Sequence, residues 1–266
     1  MPTKLEEMVS AARCRVAKSK ASANLRELAA AAERHQPRGF RQALAVQSRQ
    51  GVGVIAELKK ASPSKGLIRA DFSAAELARE LEGAGATALS VLTDEQYFGG
   101  SLRNLELASS STQLPCLRKD FVVDEFQLLE ARAYRADAVL LIVAALDYNE
   151  LKQLHAHARE LQLDVLCEIH DGNELQCALD AGFDLIGVNN RNLHTFQVAL
   201  KTSLELAAGM PATVLKVAES GIESGDDIMR LRQVGFHAFL IGESLMRAPR
   251  PGEALRGLLT QSMVAG

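Results

Sequence analysis

The sequence predicts an α/β chain folded as a (β/α)8 TIM barrel behind an N-terminal helical extension, and three observations carry that prediction. Helical patterns closed by a small residue lead repeatedly into short β-branched runs, as in GAGATALSVLTD, YRADAVLLIVAA, DAGFDLIGVNN and QVGFHAFLIGES. Eight strands of this kind can be counted, near residues 52–59, 86–92, 115–120, 137–144, 164–169, 184–189, 213–219 and 237–242. Polar residues gather at the ends of those strands, where this fold keeps its chemistry.

Residues 3 to about 35 read as helix, rich in Ala, Leu, Glu, Lys and Arg, with no Pro or Gly from residue 3 until Pro37. No strand signal precedes it, so residues 1–48 are taken as the extension of a single barrel domain spanning 1–266. Its charged face is most simply solvated, though such a segment could also cover one end of the barrel or a partner subunit. Farther on, Ser73 with Glu76, Asp171 with Glu174, and Ser224 with Asp227 each put an acceptor at an N-cap and a carboxylate three residues later. Gly85, Gly182 and Gly235 fall where helices should stop. Eight strand–helix units in about 215 residues suit a closed barrel. The competing fold, a doubly wound open sheet, would normally carry a Gly-rich fingerprint after its first strand, whereas KKASPSKG follows here.

Composition removes several function classes. Of the 266 residues, 47% are apolar and 24% charged, as in a soluble globular protein. With 30 basic against 33 acidic residues, there is no basic footprint for nucleic acid. The longest apolar run, Ala138 to Leu146, is too short to span a membrane, and the charged N-terminus does not resemble a signal peptide. A cytoplasmic location is expected. Cys14, Cys116, Cys167 and Cys177 lack metal or disulfide spacing and read as ordinary thiols.

Strand parity supplies the candidate site. Side chains alternate along a strand, so Ile55, Glu57 and Lys59 share one face of the first. By the same count Lys119 follows Leu117, Glu168 follows Leu166, Asn189 follows Leu185 and Gly187, and Glu219 follows Leu215 and Val217. Any one of these could be a surface ion-pair partner. Together they bring two lysines, three glutamates and an amide to one mouth, where near-balanced charge lowers the cost of burial and poises groups for proton transfer.

A second group suggests phosphate. The loop Glu219-Ser220-Gly221 after the seventh strand and Gly242-Glu243-Ser244 after the eighth each pair a glycine with a hydroxyl residue, as phosphate-binding barrels do in these two units. Asp94 and Tyr97-Phe98-Gly99-Gly100 suggest a loop folded over the site, with Phe98 either a flat apolar surface or a packing residue. The histidines are set aside: His155 and His157 as surface residues, His170 as facing away from the mouth, His237 as the start of a strand. No metal and no cofactor are assigned.

With these residues in place the chain resembles the indole-3-glycerol-phosphate synthase family over essentially its whole length. The carriers are IAELKKASPSKG, LRKDF, VLCEIH, IGVNNRNL, VAESGI and FLIGESLM. The resemblance implies closure of a pyrrole ring on 1-(2-carboxyphenylamino)-1-deoxyribulose 5-phosphate with loss of carbon dioxide and water. It implies Lys119 as the main general acid, Glu168 in proton transfer for the dehydration, Lys59 in binding and a second proton, and Glu57 in orientation or stabilisation of the cationic intermediate. It also implies Asn189 on substrate hydroxyls, Ser62 and Arg191 near the anthranilate carboxylate, Phe98 and Phe121 against the substrate, and Glu219 in support. Phosphate would be held by Ser220, Gly221, Gly242 and the Glu243 backbone; some members carry Ser in place of Glu243, which is tolerable if the carboxylate points away. A neighbouring carboxylate is expected to keep Lys119 charged, and desolvation to move its pKa towards neutrality.

The small phosphorylated anthranilate–ribulose compound is then the expected partner. A monomer or weak homo-oligomer is expected too, with association with other tryptophan-pathway enzymes left open. Three other functions compete: a class I aldolase using Lys119 as Schiff-base nucleophile, a phosphosugar isomerase, and a non-catalytic binding barrel.

Overall fold

The computed structural model describes residues 3–192 and 195–264; Leu193, the last residue of the IGVNNRNL motif, lies outside them, as do the first two and last two residues of the expected domain. Eight strands close into a parallel barrel: β1 (Gly53–Leu58), β2 (Ala88–Leu92), β3 (Cys116–Lys119), β4 (Ala138–Ile142), β5 (Asp164–Ile169), β6 (Leu185–Asn189), β7 (Leu215–Glu219) and β8 (Ala238–Ile241). Each strand pairs with its chain neighbours and β8 closes on β1. The three N-caps expected of Ser73, Asp171 and Ser224 are present, each side chain accepting from the backbone N–H three residues on. Gly85, Gly182 and Gly235 all adopt positive φ, the left-handed stop that a side chain would strain.

Pleating divides each strand between two cores. Val54, Ala56, Leu89, Val91, Val139, Leu141, Ile186 and Phe239 face outward and bury the apolar stripes of the surrounding helices. Ile55, Ala88, Leu117, Ala138, Leu140, Leu166, Leu185, Val217 and Leu240 face inward and fill the barrel as a packed core. Inward positions above them carry the polar residues.

The extension departs from the single helix expected over residues 3–35. It forms α1 (Lys4–Ser22), α2 (Leu25–Glu33) and, past Pro37, α3 (Phe40–Gln50). Ala23 is extended and Asn24 caps α2 through its side chain, so helical propensity yields to a local cap. The break lets the chain clasp the barrel. Leu5, Met8, Ala12 and Val16 of α1 and Phe40 and Leu44 of α3 join the interior core, while α2 packs on the helix Glu125–Ala133. Leu5 and Met8 also line the cavity at the strand C-termini. Among the described residues no helix is long and apolar enough to cross a membrane.

Candidate active site

The C-terminal ends of the strands surround a cavity of about 450 Å³. Lys119 ends β3 at its floor. Its Nζ lies 3.3 Å from Glu219 Oε2, 3.4 Å from Glu168 Oε2 and 3.9 Å from Glu57 Oε2, carboxylates of three other strands. Register explains the convergence: Glu168 is level with Gly187, and Asn189 with Glu219. Lys59, one residue past β1, reaches back to Glu57 Oε1 at 2.6 Å.

Space for these groups comes from glycines. A Cβ on Gly187 would stand 2.1 Å from Glu219 Oε1, and one on Gly242 would stand 2.5 Å from Glu57 Oε1. Asn189 links the cluster to the loop after β7, its Nδ2 donating to Glu168 Oε1 at 3.1 Å. Its Oδ1 accepts from Ser220 Oγ at 2.8 Å and from the Arg191 N–H at 3.0 Å.

Burial raises the cost of every charge here, and neighbours decide the outcome. For Lys119, burial favours the neutral amine, but Glu219, Glu168 and Glu57 outweigh it and hold its pKa well above the usual lysine range. That reverses the expected move towards neutrality: desolvation is present, but three carboxylates overcome it. Glu168, by contrast, is pushed up by burial but held well down by Lys119, His170 and Asn189. Glu57 is held down, against burial, by Lys59 and Lys119. Glu219 goes the other way: burial, with Glu168 and Glu57 adding to it, outweighs Lys119 and raises its carboxyl to about 8. Its buried Oε1 has no hydrogen-bond partner among the described residues. Glu168 and Glu219 share one ammonium, and of the two Glu219 is the more basic carboxyl.

The cavity walls divide the remaining candidates. Phe98 and Phe121, with ring centroids 6.5 Å apart, stand on one side near Ser62, whose buried Oγ has no partner among the described residues. Phe98 ends a four-residue helix, Glu95–Phe98, capped by Asp94, so the expected loop is an ordered turn. Arg15 of α1 pins that turn to β3, bonding Asp94 at 2.5 Å and Asp120 at 2.7 Å.

Opposite them, Ser220 and Gly221 take consecutive left-handed conformations, with φ of 65° and 76°. Successive backbone N–H groups in such a turn form an anion-binding concavity. Gly242 opens the short helix Glu243–Arg247, and Ser244 Oγ donates to Ile222 O at 3.5 Å, joining the two loops. The Glu243 carboxylate is engaged by Arg247 Nε at 3.1 Å and lies 3.6 Å from Arg191 Nη2. Arg191 also donates to Phe196 O at 3.3 Å.

The residues expected to act on substrate or phosphate all line this cavity, whereas Tyr97, Gly99 and Gly100 of the turn expected over the site do not. Two contributions were not foreseen. Leu5 and Met8 close the mouth from α1, and the 5, 8, 12, 16 spacing of their apolar face was the available signal. His170, set aside as facing away, stands with Nε2 3.3 Å from Glu168 Oε1. It is two residues beyond Glu168, so it keeps the same strand parity. His155, expected at the surface, is half-buried and stacks on Phe183 with centroids 4.0 Å apart.

Fold and cavity together define a (β/α)8-barrel enzyme whose buried acid–base groups and paired glycine loops sit at the strand C-termini. The family model of indole-3-glycerol phosphate synthase matches residues 5–258. A protein of that name from Koribacter versatilis (strain Ellin345) is 56% identical over 259 residues, 97% of this chain and 100% of its own length. Another, from Polynucleobacter asymbioticus, is 50% identical over 84% of each chain. The chain belongs to the indole-3-glycerol phosphate synthase family. Among solved structures, a thiamine phosphate pyrophosphorylase from Pyrococcus furiosus superposes with a TM-score of 0.60 at 16% identity, covering 81% of this chain and 98% of that one. KGPDC from Streptococcus mutans gives 0.62 at 14% identity, over 81% and 100%. These two share the fold.

Proposed function

We propose that this chain converts 1-(2-carboxyphenylamino)-1-deoxyribulose 5-phosphate to indole-3-glycerol phosphate, carbon dioxide and water, as a carboxy-lyase of tryptophan biosynthesis. The observation that carries the reading is the Lys119 ammonium, buried among Glu57, Glu168 and Glu219 in a cavity with two aromatic rings on one wall and two glycine loops on the other.

The substrate's phosphate is held by the backbone of Ser220, Gly221, Gly242 and Glu243, and its aromatic ring packs against Phe98 and Phe121. Ser62 and Arg191 take the anthranilate carboxylate; Arg191 must then exchange its contact with Glu243 for the substrate, which compensates its charge. Asn189 fixes substrate hydroxyls. Lys119 protonates the carbonyl oxygen as the ring carbon attacks the carbonyl carbon, and the carboxylate leaves as carbon dioxide. Glu168 accepts the proton lost in the dehydration, while Lys59 donates to the departing hydroxyl and Glu57 faces the cationic intermediate.

A strongly basic lysine is a reluctant donor, since general acids work best with a pKa near the operating pH. Of the three carboxylates that hold the Lys119 proton, Glu219 has the raised pKa, and taking up a proton there would loosen that hold. The same carboxylates argue against a class I aldolase, because a Schiff-base lysine must be neutral to attack.

Supplying the anthranilate–ribulose phosphate and following indole fluorescence tests the function; folded protein that makes no product would sink it. Lys119→Ala and Glu168→Gln should each lower turnover by about 100-fold or more with the fold retained. Near-normal turnover in both would refute the assigned roles.

A further inference from the structure

His170 carries the acid–base cluster past the cavity wall. It follows β5, its side chain is only 12% exposed, and it lies outside the cavity lining. Its Nδ1 is 3.0 Å from Glu174 Oε2, an oxygen that also accepts from the His170 backbone N–H at 2.8 Å. Its buried Nε2 is 3.3 Å from Glu168 Oε1, off the line of a conventional hydrogen bond and with no other partner among the described residues. Ionised carboxylates only accept, so a carboxylate at each ring nitrogen calls for an N–H on both, which is the imidazolium.

The consequence falls on Glu168. Its Oε2 faces Lys119 at 3.4 Å, while its Oε1 is met by Asn189 Nδ2 at 3.1 Å and by the His170 ring. Glu174, in the first turn of the helix Gly172–Asp180 whose cap is Asp171, anchors the far side of that ring. We propose that His170 is a positioning residue for Glu168: held by Glu174, its imidazolium keeps the Glu168 carboxylate ionised and turned so that Oε2 faces Lys119 and the substrate. This rests on reading Glu168 as the group that accepts a proton in the dehydration. Burial opposes charge on His170, but Glu168 and Glu174 outweigh it and raise its pKa to about 10, so the charge persists at neutral pH and is lost only in alkali.

Two measurements test this together. In 15N-histidine-labelled protein, the His170 ring should remain an imidazolium at pH 8; a neutral ring at pH 7.5 overturns the proposal whether or not the protein makes indole product. In turnover assays, His170→Gln and Glu174→Gln should each lower kcat about tenfold with KM within about twofold, the signature of a misplaced group and not of lost binding. The acid limb of the kcat–pH profile should move to higher pH, because removing the charge beside Glu168 raises its pKa. Should His170→Gln fail to fold, Glu174→Gln and the wild-type titration decide alone. An active wild type whose variants keep its kcat and pH profile refutes the inference and leaves the function standing; an inactive wild type refutes the function.

Discussion

Two buried charges at opposite ends of the barrel, Asp137 and Lys119, are held in opposite ways. At the foot, where the strands begin, Asp137 is fully buried and both its oxygens are engaged. Oδ1 accepts from the Arg38 N–H at 2.7 Å and faces His35 Nε2 at 3.1 Å; Oδ2 accepts from Arg38 Nη2 and from the Cys116 N–H, each at 2.6 Å. Burial would raise its pKa, but His35 and Arg38 hold it below the ordinary aspartate range. At the mouth, Lys119 meets its carboxylates at 3.3 Å or more, and among the described residues Glu219 Oε1, Ser62 Oγ and His170 Nε2 have no conventional hydrogen-bond partner. A satisfied buried ion pair resists change, whereas a loosely paired cluster can trade its partners for a substrate.

That contrast breaks most visibly at the foot. Asp137→Ala should lower unfolding stability by about 3–5 kcal/mol, because it strands Arg38 and the Cys116 N–H, while kcat of the folded fraction stays near wild type. Denaturant unfolding beside activity measures both; a loss under about 1 kcal/mol would place Asp137 with ordinary surface pairs.

Gly187→Ala probes the mouth from beneath. The new Cβ takes the space of Glu219 Oε1, so overpacking of about 1–3 kcal/mol is expected together with a fall in kcat. Unchanged stability and turnover would show that Glu219 moves aside freely.

The smallest effect lies in pH. Glu219 has a raised pKa, so its contribution to stability is complete below the unfolded value of 4.5 and is lost as pH rises through about 8. Glu219→Gln should flatten the fall in stability between those values. His170, raised from 6.5 to about 10, keeps its own alkaline loss in that variant. If the slope between pH 4.5 and 8 is the same in both proteins, Glu219 carries no extra proton.

Much of the mouth was legible because strand parity is a property of the backbone alone. Ile55-Glu57-Lys59, Leu117-Lys119, Leu166-Glu168 and Leu185-Gly187-Asn189 each point a polar group into the space above an apolar one, and the structure brings them to one cavity. His170 was missed although the same two-residue step reaches it. The break at Ala23–Asn24 lay hidden within a good helical composition, since a capping asparagine is common and its effect depends on where the next helix can pack.

By itself the sequence determined the alternation of elements, the parity of their side chains and the residues that could meet at the strand ends, because each follows from local propensity and the pleat. Only the tertiary structure decided which partners they meet. Closure and register put Glu219 over Gly187 and three carboxylates around Lys119, and the clasp of α1 brought Leu5 and Met8 to the mouth. The direction of each pKa depends on burial and on charges from other strands, and no single segment contains that information.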